Sequence, residues 1–225
     1  MTTTADANPA TIADRVAKMH GEMAGQIPDE VLGAFGAEQA GLDARGIPTD
    51  IAKPEEIIGD FDLLDVHGAP TKLSTELGGR NAVMVLYRGG WCPYCNLTLR
   101  AYQDDLVPVL ADKGIPLIAI SPQKPDGSLS TKEANELTFT VVSDPGNKIA
   151  NRLGVMTAPT QDAQGAQRAL GLDLSEANAD GSYGLPMPTV VIVDTGGTIR
   201  WIDVHPNYTT RTEVSDILAA LDTVN

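Results

Sequence analysis

The sequence predicts an α/β fold, parallel central strands with helices packed on them, that carries a reactive dithiol. Three observations predict it. Apolar runs of strand length at residues 82–87, 115–120 and 190–193 alternate with stretches of helical periodicity. The only two cysteines in 225 residues, Cys92 and Cys95, stand between the first of those runs and an amphipathic helical pattern. The chain then closes as strand, turn, strand and helix.

Taken in order, residues 1–7 are small and polar and are expected to be disordered. Asn8-Pro9 reads as a helix cap with a first-turn proline, and Ile12, Val16, Met19 and Met23 form an apolar stripe at helical spacing. A second, short helix after Pro28 carries Val31, Leu32 and Phe35. Neither helix holds a convergent polar cluster, so the sequence assigns them no chemistry. They read as an arm packed on the domain or on a second subunit, or as a plain structural extension, with His20 at the surface or the core edge. From residue 41 to 53 the pattern loosens around glycines and Pro48, just before Pro54. The expected division is an N-terminal helical extension, 1–53, and a domain, 54–225.

Phe61-Asp62-Leu63-Leu64-Asp65, a turn at His67-Gly68-Ala69-Pro70 and Thr71-Lys72-Leu73 predict a β-hairpin leading into the strand at 82–87. That run, Ala82-Val83-Met84-Val85-Leu86-Tyr87, is apolar throughout, as a strand buried on both faces must be. The helix after the cysteines places Leu99, Tyr102, Leu106, Val109 and Leu110 on one face and stops at Lys113-Gly114. A second buried strand spans 115–120 and ends at Ser121-Pro122. Beyond it come a short helix at 128–136, a strand at 138–142, a helix carrying Ile149, Ala150 and Leu153 that closes at Gly154, and a helix near 161–170. A polar loop at Asn178-Ala179-Asp180-Gly181 is a candidate border of the site. The strand at 190–193 turns at Asp194-Thr195-Gly196-Gly197 into 199–204, and Thr210-x-x-Glu213 matches a capping box opening the last helix.

Gly89-Gly90-Trp91-Cys92-Pro93-Tyr94-Cys95 carries the chemistry. At the first turn of a helix the free N–H groups and the positive dipole end favour an anionic sulfur, so the Cys92 pKa is expected to fall. Pro93 suits a first helical position, where its missing N–H costs nothing. Cys95 lies one turn further on, within reach of a strained disulfide with Cys92. Cys92 is therefore the expected attacking sulfur and Cys95 the resolving one. Two cysteines also serve as small buried hydrophobes, but Pro-Tyr between them after two glycines and a Trp is a poor core choice. A metal site needs two further ligands, and His20, His67 and His205 stand singly. No metal and no cofactor is expected.

A net charge of −14 argues against nucleic acid or an anionic membrane surface as partner. No apolar run approaches the ~18 to 20 residues of a membrane span, and the first thirty residues lack the apolar core of a secretion signal. A cytoplasmic location is expected, where a lone Cys-x-x-Cys is more often catalytic than structural.

Residues from about 57 to 222 resemble the thioredoxin fold, a central mixed β-sheet flanked by helices. More narrowly they resemble the peroxiredoxin-like branch of the alkyl hydroperoxide reductase and thiol-specific antioxidant superfamily. The match rests on Tyr87-Arg88-Gly89-Gly90-Trp91-Cys92-Pro93-Tyr94-Cys95, on Ser143-Asp144-Pro145 with Ile149-Ala150 and Leu153-Gly154-Val155, and on Pro188-Thr189-Val190-Val191-Ile192-Val193-Asp194. By this resemblance Cys92 is the peroxide-attacking cysteine, oxidised to a sulfenic acid that condenses with a thiol. The chain departs from the family pattern at Gly89, where a Thr or Ser is usual, and at Met187-Pro188, where an Arg usually precedes the strand from Thr189. Arg88 is the candidate replacement for that charge. Pro188 resembles the cis-proline facing the disulfide of thioredoxins and glutaredoxins, which would turn the Met187 backbone toward the sulfurs.

Three functions follow from the resemblance and the motif together. The first is reduction of hydrogen peroxide or alkyl hydroperoxides through Cys92 and a Cys92–Cys95 disulfide, regenerated by a thioredoxin- or glutathione-type donor. The second is thiol–disulfide exchange without peroxide, and the third a non-enzymatic redox sensor. Trp91, Pro93, Arg88, Pro188 and Thr189 are the expected supporting residues, and a homodimer is compatible with the N-terminal helices.

Overall fold

The computed structural model describes residues 10–224, so the expected disorder at 1–7 and the cap at Asn8-Pro9 lie outside it. Helix α1 (Ile12–Met23) starts at Thr11, whose hydroxyl accepts from the Asp14 N–H while the Asp14 carboxylate accepts from the Thr11 N–H. Helix α2 (Asp29–Arg45) runs 17 residues, longer than the short helix expected, and ends at Gly46 with φ +67°. Its length comes from packing: the buried Glu38 carboxylate accepts from the Thr160 N–H at the start of a later helix, against which α2 lies. After Gly46 the chain is bonded onto the sheet and its helices, through Ala52 N–H to Leu153 O and Ile58 N–H to Gly197 O.

Strands β1 (Asp62–Leu64) and β2 (Pro70–Lys72) form the expected hairpin, closed by the Asp65 carboxylate accepting from the His67 and Ala69 N–H groups. Leu73, expected in the second strand, instead begins helix α3 (Leu73–Leu77), which leads to β3 (Ala82–Leu86). The single helix expected after the cysteines is three pieces: α4 (Pro93–Ala101), a π-helical turn Tyr102–Leu106, and α5 (Val107–Asp112). Pro108 explains the break, since it has no N–H to donate and its ring crowds the carbonyl one turn back; a wider turn relieves both.

Strand β4 (Leu117–Ser121) is followed by α6 (Pro125–Ala134), which opens on a first-turn proline earlier than expected. Then come β5 (Thr140–Ser143), α7 (Lys148–Leu153), β6 (Met156–Thr157), α8 (Gln161–Ala169), α9 (Leu174–Ala177) and β7 (Leu185–Pro186). Strands β6 and β7 pair in a small separate sheet, which with α9 was not foreseen. Strands β8 (Thr189–Val193) and β9 (Ile199–Val204) and helix α10 (Val214–Thr223) finish the chain.

The expected capping box of α10 is absent. Glu213 stands at the N-cap without a side-chain cap bond, and the Thr210 hydroxyl donates instead to Asn207 O. The Glu213 carboxylate reaches across the molecule to the start of α1, accepting from Ile12 N–H at 2.8 Å and Ala13 N–H at 2.9 Å. A carboxylate at a helix N-terminus satisfies orphan donors and opposes the dipole.

The main sheet has the order β2-β1-β5-β4-β3-β8-β9. Strands β3, β4 and β5 are parallel, while β8 pairs antiparallel with β3 and β9 with β8, so the sheet is mixed as the resemblance implies. Alternate residues of β3 enter two cores. Val83 and Val85 meet Leu99, Tyr102 and Ile217 on one face, and Ala82, Met84 and Leu86 meet Leu73, Ile149 and Leu153 on the other. The cysteine loop leaves the carboxyl end of β3, which lies between parallel β4 and antiparallel β8, and its sulfurs belong to the first core. Among the described residues no helix is long and apolar enough to cross a membrane.

Candidate active site

Two glycines shape the loop that carries the cysteines. Gly89 has φ +152°, and a Cβ there would lie 2.4 Å from Trp91 Nε1; one on Gly90 would lie 2.0 Å from Thr131 Oγ1. That close approach lets the Gly90 N–H donate to Gln123 Oε1 at 2.8 Å, while Gln123 Nε2 donates to Tyr87 OH and Thr131 Oγ1, each at 3.1 Å. Asn96 Nδ2 donates to Gly90 O at 2.6 Å. Cys92 is then the N-cap residue of α4, with Pro93 its first helical residue, and its carbonyl accepts from the Cys95 and Asn96 N–H groups.

Both thiols are free and about 1% exposed. A cation lies against both: Arg211, from the loop between β9 and α10, has Nη2 3.3 Å from Cys95 Sγ and 3.9 Å from Cys92 Sγ. Arg211 Nη1 is held by the carbonyls of Tyr208 and Thr210, so the guanidinium is fixed in place. Arg88 is also buried, with its guanidinium carbon 3.8 Å from the centre of the Tyr208 ring and 5.2 Å from that of Trp91, and it forms no ion pair among the described residues.

The expectation of an acidic Cys92 is corrected by this geometry. Burial opposes charge on Cys95, yet the hydrogen bond from the Cys92 thiol, the Arg211 charge and the Arg88 backbone N–H and charge outweigh it and lower its pKa to about 5. Burial, that same hydrogen bond and the Cys95 charge push Cys92 well above the ordinary thiol value. The pair therefore loses one proton readily and holds the second. Both arginines favour charge on either sulfur, and the hydrogen bond from the Cys92 thiol to Cys95 is the largest influence placing it on Cys95.

The two sulfurs face different spaces. Cys95, Pro188, Thr189 and Arg211 line a small space of about 10 Å³, room for about one water. Cys92, Arg88, Trp91, Pro93 and Tyr94 line a cleft of about 780 Å³, whose opposite wall is α1, α2 and the residues after α8. Every expected site residue is thus brought to the sulfur pair. The roles given to Pro188 and Met187 are corrected: no peptide bond among the described residues is cis. Met187 N–H donates to Val155 O and its carbonyl accepts from the Thr189 hydroxyl, so its backbone offers no edge to a substrate.

Four residues at the site had no sequence signal or were set aside. Arg211 stands in an irregular loop and reaches the sulfurs only through tertiary structure. Tyr208 stacks under Arg88. Gln123 anchors Gly90. His20, expected at the surface or core edge, accepts or donates with Tyr94 OH at 2.7 Å and lines the cleft. His205 bonds Asp203 and Thr210 beside the Arg211 loop without lining either space. The polar loop at 178–181 packs behind Gln123, through Ala179 N–H to Pro122 O, and does not border the sulfurs. Among the described residues no cluster of His, Cys, Asp or Glu has the arrangement of a metal site.

Comparison with known proteins adds three findings. The model of the AhpC/TSA family matches residues 54–202. Among solved structures the chain is similar to peroxidoxin BcpB from Mycobacterium tuberculosis, with TM-score 0.58 and 18% identity over 77% of this chain and 98% of that one. It is likewise similar to reduced Prx3 from Vibrio vulnificus in complex with H2O2, with TM-score 0.61 and 15% identity over 76% and 99%. A peroxiredoxin-like protein from Aquifex aeolicus gives TM-score 0.57 and 13% identity over 78% and 89%. No curated protein matches. At these identities the solved structures support the fold.

Proposed function

The chain belongs to the AhpC/TSA family, and we propose that it is a thiol-dependent peroxidase in which Cys92 attacks and Cys95 resolves. The observation that carries this is the division of surroundings: Cys92 lies on the open cleft, with Cys95 and the fixed Arg211 behind it. In the resting pair Cys95 holds the charge and Cys92 the proton. Passing that proton to Cys95 leaves a Cys92 thiolate facing the cleft beside Arg88. Its sulfur attacks the terminal oxygen of the peroxide; the O–O bond breaks, the other oxygen takes up a proton from solvent in the cleft and leaves as an alcohol or water, and Cys92 becomes a sulfenic acid. Cys95 then displaces the hydroxyl as water, forming the Cys92–Cys95 disulfide. A thioredoxin- or glutathione-type thiol donor supplies the two electrons that restore the dithiol. Arg211 and Arg88 supply the positive charge that Met187-Pro188 does not. A cytoplasmic setting, rich in reduced thiols, suits such a cycle.

The test is rapid mixing of reduced protein with hydrogen peroxide or an organic hydroperoxide, followed by thiol counting and turnover with each donor. One peroxide consumed per dithiol oxidised, at a rate abolished by Cys92→Ser, supports the proposal. Fast reaction with a disulfide and none with peroxide would replace it by the exchange reaction, to which the occupied Met187 backbone lends no support.

A further inference from the structure

The cleft above Cys92 is far larger than hydrogen peroxide needs. Its volume of about 780 Å³ is that of a site for a drug-sized molecule. Its two ends differ in chemistry. At the sulfur end, Trp91 Nε1, Arg88 Nε and Tyr208 OH are buried polar atoms without a partner, all from residues that line the cleft. Buried donors left unpaired are costly, and an oxygen acceptor placed there would satisfy them. The far end is hydrocarbon: Met23, Ile27, Leu32, Phe35, Leu170 and Leu172. Leu32 and Leu170 are 46% and 52% exposed, two of the few large apolar side chains so exposed among the described residues. Four of those six wall residues precede residue 54, where the family match begins, so most of this wall comes from the N-terminal segment of this chain.

Resting on the peroxidase reading above, we propose that the cleft selects hydroperoxides with a bulky hydrocarbon body, such as an arylalkyl or long-chain organic hydroperoxide, over hydrogen peroxide. The hydroperoxy oxygens take the Arg88, Trp91 and Tyr208 end within reach of Cys92. The hydrocarbon body covers the wall of α1, α2 and the segment after α8, displacing water from apolar surface. The bonds made and broken are those already given: sulfur gains one oxygen, and the bulky alcohol leaves with a proton through the cleft mouth. Hydrogen peroxide, with no body to bury, gains none of this binding.

The experiment compares kcat/KM of the full chain for cumene hydroperoxide and hydrogen peroxide with one thiol donor. Cumene hydroperoxide is expected to be favoured by about tenfold or more, the scale set by burying several hydrocarbon groups. In the Leu32→Glu, Leu170→Glu double variant that ratio falls about tenfold, carried by a higher KM for cumene hydroperoxide. Both positions are exposed, so the fold survives the change. A second measurement needs no turnover: in a Trp201→Phe background, 2-phenyl-2-propanol, the product alcohol, shifts Trp91 fluorescence, and the double variant weakens that response. Equal kcat/KM for the two peroxides, or a ratio unmoved by the double variant, overturns the selection while the peroxidase stands. Consumption of neither peroxide overturns both.

Discussion

Cys92 and Cys95 are one helical turn apart and yet sit in opposite surroundings. Cys92 lines a cleft of about 780 Å³ whose far wall is hydrocarbon, and Cys95 a small space of about 10 Å³ with a fixed arginine 3.3 Å away. The large space adjoins one sulfur, and the charge rests on the other. A buried thiolate is costly in an open apolar cleft and affordable where a guanidinium is held in place. Keeping the charge on Cys95 until a proton moves lets the cleft stay apolar without losing a reactive sulfur.

The strongest way to break this contrast is at the sulfurs themselves. Cys92→Ser is expected to lower the peroxide-reducing rate by at least about 10³-fold. Cys95→Ser retains a first oxidation, detectable as a trapped sulfenic acid on Cys92. Sulfenic acid found first on Cys95 would reverse the assignment.

Removing the charge comes next. Arg211→Met is expected to slow the reaction at pH 6 by about 10- to 100-fold, the loss of one charge-assisted bond to sulfur, with partial recovery in Arg211→Lys. The pH profile shows why. Below about pH 5 the wild-type pair keeps both protons, so the rate falls as pH drops through that value and is level above it. In Arg211→Met the inflection moves up toward that of a free thiol. Thiolate absorbance titrated in both proteins checks it, and an inflection unmoved by the substitution would remove Arg211 from the role.

Smaller effects test the frame around the pair. Gly90→Ala puts a methyl 2.0 Å from Thr131 Oγ1 and breaks the fit of Gly90 to Gln123, a loss of about 1–3 kcal/mol in chemical denaturation. Smallest is Tyr94→Phe, which removes the His20 bond across the cleft and costs about 1 kcal/mol.

What could be read from the residues alone was what short stretches of chain decide. The dithiol turn, its glycines and the strand before it are adjacent in sequence, and the alternation of apolar runs and helical stripes identified the sheet strands. Arg211 was missed because it stands 119 positions along the chain from Cys92 and meets it only in the folded molecule, and no local pattern marks it. Thr210-x-x-Glu213 misled because a capping box is local while the Glu213 carboxylate is used at α1. The helix after the cysteines reads as continuous by its apolar face, and the π-helical turn answers to backbone crowding at Pro108, which the spacing of leucines does not register. The N-terminal helices were given no chemistry because theirs is a wall, visible only against α8 and the dithiol loop.

The Glu213 bridge to α1 has a consequence for how the molecule holds together. The carboxylate that clamps α1 is two positions from the arginine facing the sulfurs, so one short loop fastens both the hydrocarbon roof and the charge beside the thiols. A force that peels the leading helix away pulls on that loop as well, and the wall of the cleft and the acidity of the thiol are surrendered together.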